Sequence, residues 1–121
     1  MSDEPRCLLP ELREIPNRPW GITGFYREDG MNLLFGGSFL QDKFLGGTIV
    51  GGQLVDVGKV SEIVEGGKFI PERELHFTKR YCRSGRLVDY EFHFENGIWA
   101  GRYLFPGHTG IAKCVIQPLT D

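Results

Sequence analysis

Apolar and polar residues alternate along most of the chain in short runs that end at turn-forming dipeptides. Asp29-Gly30, Ser84-Gly85 and Asn96-Gly97 are typical of hairpin turns, because Asp, Asn and Gly tolerate the positive φ that such turns need. The runs between the turns are rich in Val, Ile, Phe, Tyr and Thr, and no convincing helical period is present. The pattern predicts eight strands, at residues 19–28, 31–41, 44–50, 53–65, 68–82, 86–95, 98–105 and 111–118.

Two glycine positions complete this prediction. Gly51-Gly52 is interpreted as the turn between the third and fourth strands. Gly58 lies inside the fourth run, where a glycine indicates a bulge or a sharp bend.

The two C-terminal hairpins predict which face of each strand is apolar, because a two-residue turn fixes the pairs across it. The pairs expected across the first turn are Lys79 with Tyr90, Phe77 with Phe92, Arg80 with Asp89 and His76 with His93. Across the second turn they are Phe94 with Trp99, Tyr90 with Tyr103 and Glu91 with Arg102. In this register the aromatic residues fall on one face and the charged residues on the other.

The aromatic face needs cover, and the chain has no helix to supply it. The N-terminal half offers a second apolar face, in which Trp20, Ile22 and Tyr26 lie opposite Leu33, Phe35 and Phe39 across the Asp29-Gly30 turn. Closure of all eight strands would bury both faces and remove the sheet edges. We therefore predict an all-β fold, an eight-stranded antiparallel up-and-down β-barrel, with a two-sheet sandwich as the alternative. The interior of such a barrel holds side chains or one small ligand.

Composition narrows the class of protein. The chain has 121 residues, which suits one domain, and 40% of them are hydrophobic. A net charge of −2 gives no electrostatic case for binding nucleic acid or a membrane surface. The N-terminus is acidic where a signal peptide would be basic, and three cysteines cannot all pair within one chain. These features favour a cytoplasmic protein.

Residues 1–19 differ from the rest of the chain. They hold four of the seven prolines and show no alternation. We expect an N-terminal arm there, either mobile or folded as a lid over an open end of the barrel. Residues 20–121 are expected to form the single barrel domain.

Several stretches resemble the repeating pattern of small single-domain calycin-like barrels, the lipocalin, fatty-acid-binding and streptavidin type of protein. They are Phe77-Thr78-Lys79-Arg80-Tyr81, Val88-Asp89-Tyr90, Gly97-Ile98-Trp99-Ala100-Gly101-Arg102-Tyr103, Gly107 and Gly110, with Asp56-Val57-Gly58-Lys59-Val60 before them. The resemblance covers about residues 20–118. It implies a barrel that binds a small, largely apolar molecule.

Lys79 is the most informative polar position. The predicted register places it on the inner face, where an ammonium is costly unless it is paired or hydrogen-bonded. We interpret it as an anchor for the polar or acidic end of an apolar ligand; the alternative is a position near the rim, with the amine in solvent. The residues expected to bind this ligand are Lys79, Tyr90, Tyr103, Tyr81, Phe92 and Trp99.

No catalytic residue, metal site or cofactor is predicted. His76 and His93 would be neighbours on the outer face, but two imidazoles are fewer than the three or four ligands of a zinc site. His108 is expected in a turn, and Cys114 as a small buried hydrophobe. No order of residues typical of a hydrolase or a phosphate loop occurs.

The leading hypothesis is therefore non-catalytic binding of a small, largely apolar molecule inside the barrel. In one version of this hypothesis the molecule is acidic. A second hypothesis is a protein-interaction module or homodimer whose interior is filled by its own aromatic residues. A weaker third is an isomerase or cyclase that uses the same cavity.

Overall fold

A computed structural model describes residues 17–42 and 47–119, which form nine β-strands and no helix. No helix in this part of the chain could therefore cross a membrane. The strands are β1 (Asn17–Glu28), β2 (Met31–Asp42), β3 (Ile49–Asp56), β4 (Lys59–Ile63), β5 (Lys68–Ile70), β6 (Glu74–Tyr81), β7 (Leu87–Glu95), β8 (Ile98–Phe105) and β9 (His108–Pro118).

The strands close into a barrel. Their order is β4-β3-β2-β1-β9-β8-β7-β6-β5, every pair is antiparallel, and β4 also pairs with β6. β4 pairs with one end of β6, at Tyr81, and β5 pairs with its other end, at His76. Because β4 and β5 share one position in the wall, the nine strands make an eight-stranded up-and-down barrel, which confirms the predicted fold.

Two of the eight predicted strands are each divided by a turn. Val57 and Gly58 form a tight turn with φ of 44° and 76°. Gly58 therefore belongs to the turn of the β3–β4 hairpin and does not mark a bulge. Gly51 and Gly52 lie inside β3, where no turn occurs. Residues 71–73 separate β5 from β6 within the run that we expected to be continuous.

The predicted arm lies almost wholly outside the described residues. Residues 1–16 are not described, and residues 17–19 form the start of β1. β1 enters the barrel at one end and reaches the opposite end at Glu28.

The register of the β6–β7 hairpin differs from the prediction by two positions. Lys79 pairs with Val88, and His76 pairs with Glu91, so the expected pairs of Lys79 with Tyr90 and of His76 with His93 are wrong. The loop holds residues 82–86, and the Gly85 amide donates to the Tyr81 carbonyl (2.8 Å). Because the shift is even, every side chain keeps its predicted face.

The β7–β8 and β1–β2 hairpins confirm the register predicted for them. Across the β7–β8 turn, Phe94 pairs with Trp99 and Tyr90 with Tyr103. Gly101 is required there, because a Cβ atom would lie 1.8 Å from the Glu91 carbonyl oxygen of the neighbouring strand. The β1–β2 pairs include Tyr26 with Leu33 and Trp20 with Phe39.

Candidate functional site

One end of the barrel interior is filled by aromatic side chains. The Phe69 ring lies at its centre, with ring centroids 4.8 Å from Trp20, 5.3 Å from Phe39 and 5.4 Å from Trp99. The buried Gln41 side chain accepts a hydrogen bond from the Trp20 indole (2.9 Å) and donates to the Phe69 carbonyl (2.7 Å). This end is packed, and its polar side chain is satisfied.

The opposite end is hollow. It contains a cavity of about 620 Å³, bounded by the ends of β1 and β8, the β3–β4 turn and the β6–β7 loop. Leu33, Val88 and Phe105 supply apolar wall. The interior is therefore only partly self-filled, and space for a small molecule lies at one end.

A buried ion pair lies beside the cavity. The Lys79 Nζ atom donates to the Asp56 Oδ2 atom at 2.6 Å, and both side chains are 1% exposed. Burial lowers the pKa of Lys79, while the hydrogen bond to Asp56 opposes that shift. Lys79 thus points inward as predicted, and the alternative with its amine in solvent is wrong.

Three tyrosines surround this ion pair. The Nζ atom of Lys79 lies 5.4, 4.6 and 5.1 Å from the ring centroids of Tyr26, Tyr81 and Tyr90, within cation–π range. The hydroxyls of Tyr26 (3.2 Å) and Tyr81 (3.1 Å) donate to Asp56. We call Lys79, Asp56, Tyr26, Tyr81 and Tyr90 the Lys79 cluster.

The tyrosines of the cluster are hydrogen-bond donors at neutral pH. Burial raises the pKa of Tyr26 and Tyr81, and the negative charge of Asp56 raises both further. Burial also raises the pKa of Tyr90. Each phenol therefore keeps its proton, and Asp56 accepts from neutral hydroxyls.

Tyr90 differs from the other two. Its side chain is 1% exposed and lines the cavity, and its ring stacks on Phe77 at 5.0 Å. Within the described ranges 17–42 and 47–119, its hydroxyl has no hydrogen-bond partner, whereas Tyr26 and Tyr81 both reach Asp56. Such a buried hydroxyl is unusual in a protein interior.

Tyr103 lines the same cavity but is already partnered. Its hydroxyl donates to the Arg27 carbonyl (2.7 Å) and lies 3.0 Å from His108 Nε2. Burial raises its pKa. Tyr103 therefore fixes a wall of the cavity.

The structure gathers four of the six predicted site residues at this end. Tyr81, Tyr90 and Tyr103 line the cavity, and Lys79 is bound to Asp56, which also lines it. Phe92 and Trp99 lie in the packed part of the core. The Phe92 ring is 5.9 Å from Tyr90, and the Trp99 ring contacts Phe69 and Phe94.

No protein-family model, curated protein or solved structure matches this chain. The structure shows an eight-stranded antiparallel barrel. The resemblance to calycins in particular stays a prediction.

Asp56 and Tyr26 are the cluster residues that sequence reasoning missed. Asp56 ends β3 and is buried like Leu54, two positions before it, on the inner face. The signal was present in this alternation and in the need of an inward lysine for a counter-charge. The prediction of residues 53–65 as one strand, without the Val57-Gly58 turn, does not place Asp56 at an end of the barrel.

Metal-ligand groups and cysteine thiols were the remaining candidates for chemistry, and of the two described cysteines Cys82 lines the cavity. No group of three or more His, Cys, Asp and Glu side chains within the described residues could hold a metal ion. Cys114 is buried on β9, which raises the pKa of its thiol to about 12, while Cys82 is exposed. The buried thiol is therefore protonated and unreactive at neutral pH.

Proposed function

We propose that this protein binds one small, largely apolar molecule in the hollow end of the barrel, in a calycin-like mode. Support comes from the cavity of about 620 Å³, which falls among typical small-molecule sites of about 300–1,000 Å³. Its walls combine apolar side chains with a few polar groups, as such sites do. The cytoplasmic location stays a prediction.

The observation that carries this proposal is the Tyr90 hydroxyl. It is buried in the cavity wall and has no partner among the described residues. A buried donor left unpaired costs about 1–3 kcal/mol. A polar atom of a bound molecule would satisfy it, so the ligand carries at least one hydrogen-bonding atom near Tyr90.

Lys79 has a positioning role in this proposal. Its ammonium already pairs with Asp56 at 2.6 Å, and Asp56 in turn holds the Tyr26 and Tyr81 hydroxyls. The ion pair therefore fixes the tyrosine wall against which the ligand packs. An acidic ligand group that paired directly with Lys79 would first have to displace Asp56.

Binding is tested with a fluorescent apolar probe, N-phenylnaphthylamine, and two matched substitutions. Val88 lines the cavity and is 5% exposed, whereas Val115 is 50% exposed on β9 and does not line the cavity. Val88→Trp should fill the cavity and weaken binding at least tenfold, about 1.4 kcal/mol. Val115→Trp should bind like the unaltered protein.

The controls keep this experiment decisive. Circular dichroism and thermal unfolding check that Val88→Trp is folded, and Tyr90→Phe provides a second, milder variant. Native mass spectrometry of the purified protein would add a co-purifying small molecule as direct support. Absence of probe binding, or equal binding by the two Trp variants, would contradict the proposal.

Homodimerisation is a second candidate, supported by an apolar patch on the outer wall. Leu34, Val55 and Val60 are 74%, 46% and 41% exposed. Val55 pairs with Val60 and with Gly36, and Leu34 pairs with Phe25, so these side chains share one face of β1–β4. Identical patches from two copies could pack across a two-fold axis.

Sedimentation of Leu34→Lys tests this candidate. The control is Ile98→Lys, because Ile98 is also exposed (45%) but lies on β8, outside the patch. A dimer that dissociates only in Leu34→Lys would support this interface. A monomeric unaltered protein would exclude it and leave ligand binding untouched.

A further inference from the structure

The mouth of the cavity is positively charged although the chain as a whole carries a net charge of −2. Lys59, Arg83 and Arg86 line the cavity and are exposed at its rim. Glu28 lines the same cavity and offsets one of these charges. Within the part of the chain that the structure describes, none of the three cations makes an ion pair.

The inner wall, by contrast, offers no net charge. The Lys79 ammonium is neutralised by Asp56 at 2.6 Å, and both side chains are buried. An anion brought to this depth would lose its hydration and would approach the Asp56 carboxylate. A negatively charged group is therefore better placed at the mouth.

The geometry of the rim favours an anion with an apolar body. The Arg86 guanidinium carbon lies 4.1 Å from the centroid of the Phe105 ring, which holds the planar group against the apolar wall. The Lys59 ammonium lies 5.9 Å from the Tyr81 ring. A guanidinium stacked in this way still presents N–H donors, and these match the oxygen atoms of a carboxylate or sulfonate.

We infer that the ligand is an apolar molecule with a single anionic group, held with that group at the mouth by Arg83, Arg86 and Lys59. Its body fills the cavity, and a neutral polar atom meets the Tyr90 hydroxyl. This inference rests on the proposed function and gives the ligand an orientation opposite to the one predicted from the sequence, in which the acidic end pairs with Lys79.

Two probes that differ only in a sulfonate group test this orientation. Anilinonaphthalene sulfonate is the anionic form, and N-phenylnaphthylamine is its uncharged parent. The mouth variant is Arg83→Gln/Arg86→Gln. Its control is Arg73→Gln/Lys113→Gln, which removes the same charge from exposed positions that do not line the cavity.

We expect the unaltered protein to bind the sulfonate probe about fivefold or more tightly than the uncharged parent, as two exposed charge pairs allow. The mouth variant should lose this preference, while the control variant should keep it. Added salt should weaken the binding of the sulfonate probe alone, because the charges at the mouth are exposed and are screened by salt.

The opposing outcomes separate this inference from the proposed function. If the preference is absent, or survives in the mouth variant, the inference is overturned while parent binding still supports the cavity. If the preference disappears in Lys79→Met and persists in the mouth variant, the anion lies at Lys79 and the inference is likewise overturned. If neither probe binds, the proposed function itself fails.

Discussion

Substitution of Lys79 by methionine should strongly destabilise the barrel. Methionine fills similar space but leaves the Asp56 carboxylate buried without its counter-charge, and both side chains of this pair are 1% exposed. Removal of one partner from a buried pair costs about 3–5 kcal/mol. The Tyr26 and Tyr81 hydroxyls still donate to Asp56, at 3.2 and 3.1 Å, so we expect a loss near the low end, about 3 kcal/mol.

The double variant Lys79→Met/Asp56→Asn separates pairing from packing. It removes both charges and keeps an oxygen that accepts from the two tyrosines, so it should cost about 1–2 kcal/mol, less than Lys79→Met alone. Urea unfolding followed by tryptophan fluorescence measures each free energy, with the m-value as a check on two-state behaviour.

The single variant Asp56→Asn tests the direction in which stability changes with pH. Burial already lowers the pKa of Lys79 in the folded state, and loss of Asp56 removes an effect that raised it. The unfolded chain then binds more protons below the ordinary lysine value of 10.5, so stability should rise with pH through this window. The reasoning is refuted if Lys79→Met loses less than about 1 kcal/mol, or if the double variant is no more stable than Lys79→Met.

Three further predictions concern single positions. Val57 has a φ of 44°, which is strained for a β-branched residue. Val57→Asn should therefore raise the free energy of unfolding, measured in urea, by about 1 kcal/mol. An unchanged urea midpoint of unfolding would contradict this. Because burial raises the pKa of Tyr90 in the folded state, the folded protein retains a proton that the unfolded chain releases above pH 10.0, and stability falls as pH rises there. Tyr90→Phe should make this decline shallower by about 1.4 kcal/mol per pH unit, and an identical slope would show that Tyr90 is not shielded. In a Cys7→Ser chain, a thiol reagent should label Cys82 at neutral pH, and mass spectrometry counts the labels. Cys114 is buried and its pKa is raised to about 12, so it should be labelled only after denaturation. Labelling of both cysteines in the native protein would be inconsistent with the buried position of Cys114 on β9.

The alternation of side chains was enough to predict the barrel and the inward direction of Lys79. The face of a residue depends only on whether the register is shifted by an even or an odd number. Lys79 therefore stayed inside although its partner is Val88 and not Tyr90. The exact pairs depended on the loop at residues 82–86, whose length the Ser84-Gly85 dipeptide did not reveal.

The composition of the site was less accessible to sequence reasoning. The counter-charge of Lys79 lies 23 positions away, at Asp56, and the two meet only through closure of the wall between β4 and β6. Val57 occupies a left-handed turn position next to Asp56, where valine is rarely found. The sequence therefore carries no typical sign of a hairpin turn at this point. Which end of the barrel is packed depends on side-chain volumes in three dimensions, such as that of Phe69, and alternation carries no information about it.

The most direct test of ligand binding in the hollow end is an NMR titration of the isotopically labelled protein with N-phenylnaphthylamine. We expect saturable amide shifts at inward-facing cavity residues such as Tyr26, Val88 and Tyr103, and none around Phe39 and Trp99 in the packed end. Shifts confined to the packed end or to the outer face of β1–β4, or no saturable shifts at all, would contradict a binding site within the barrel.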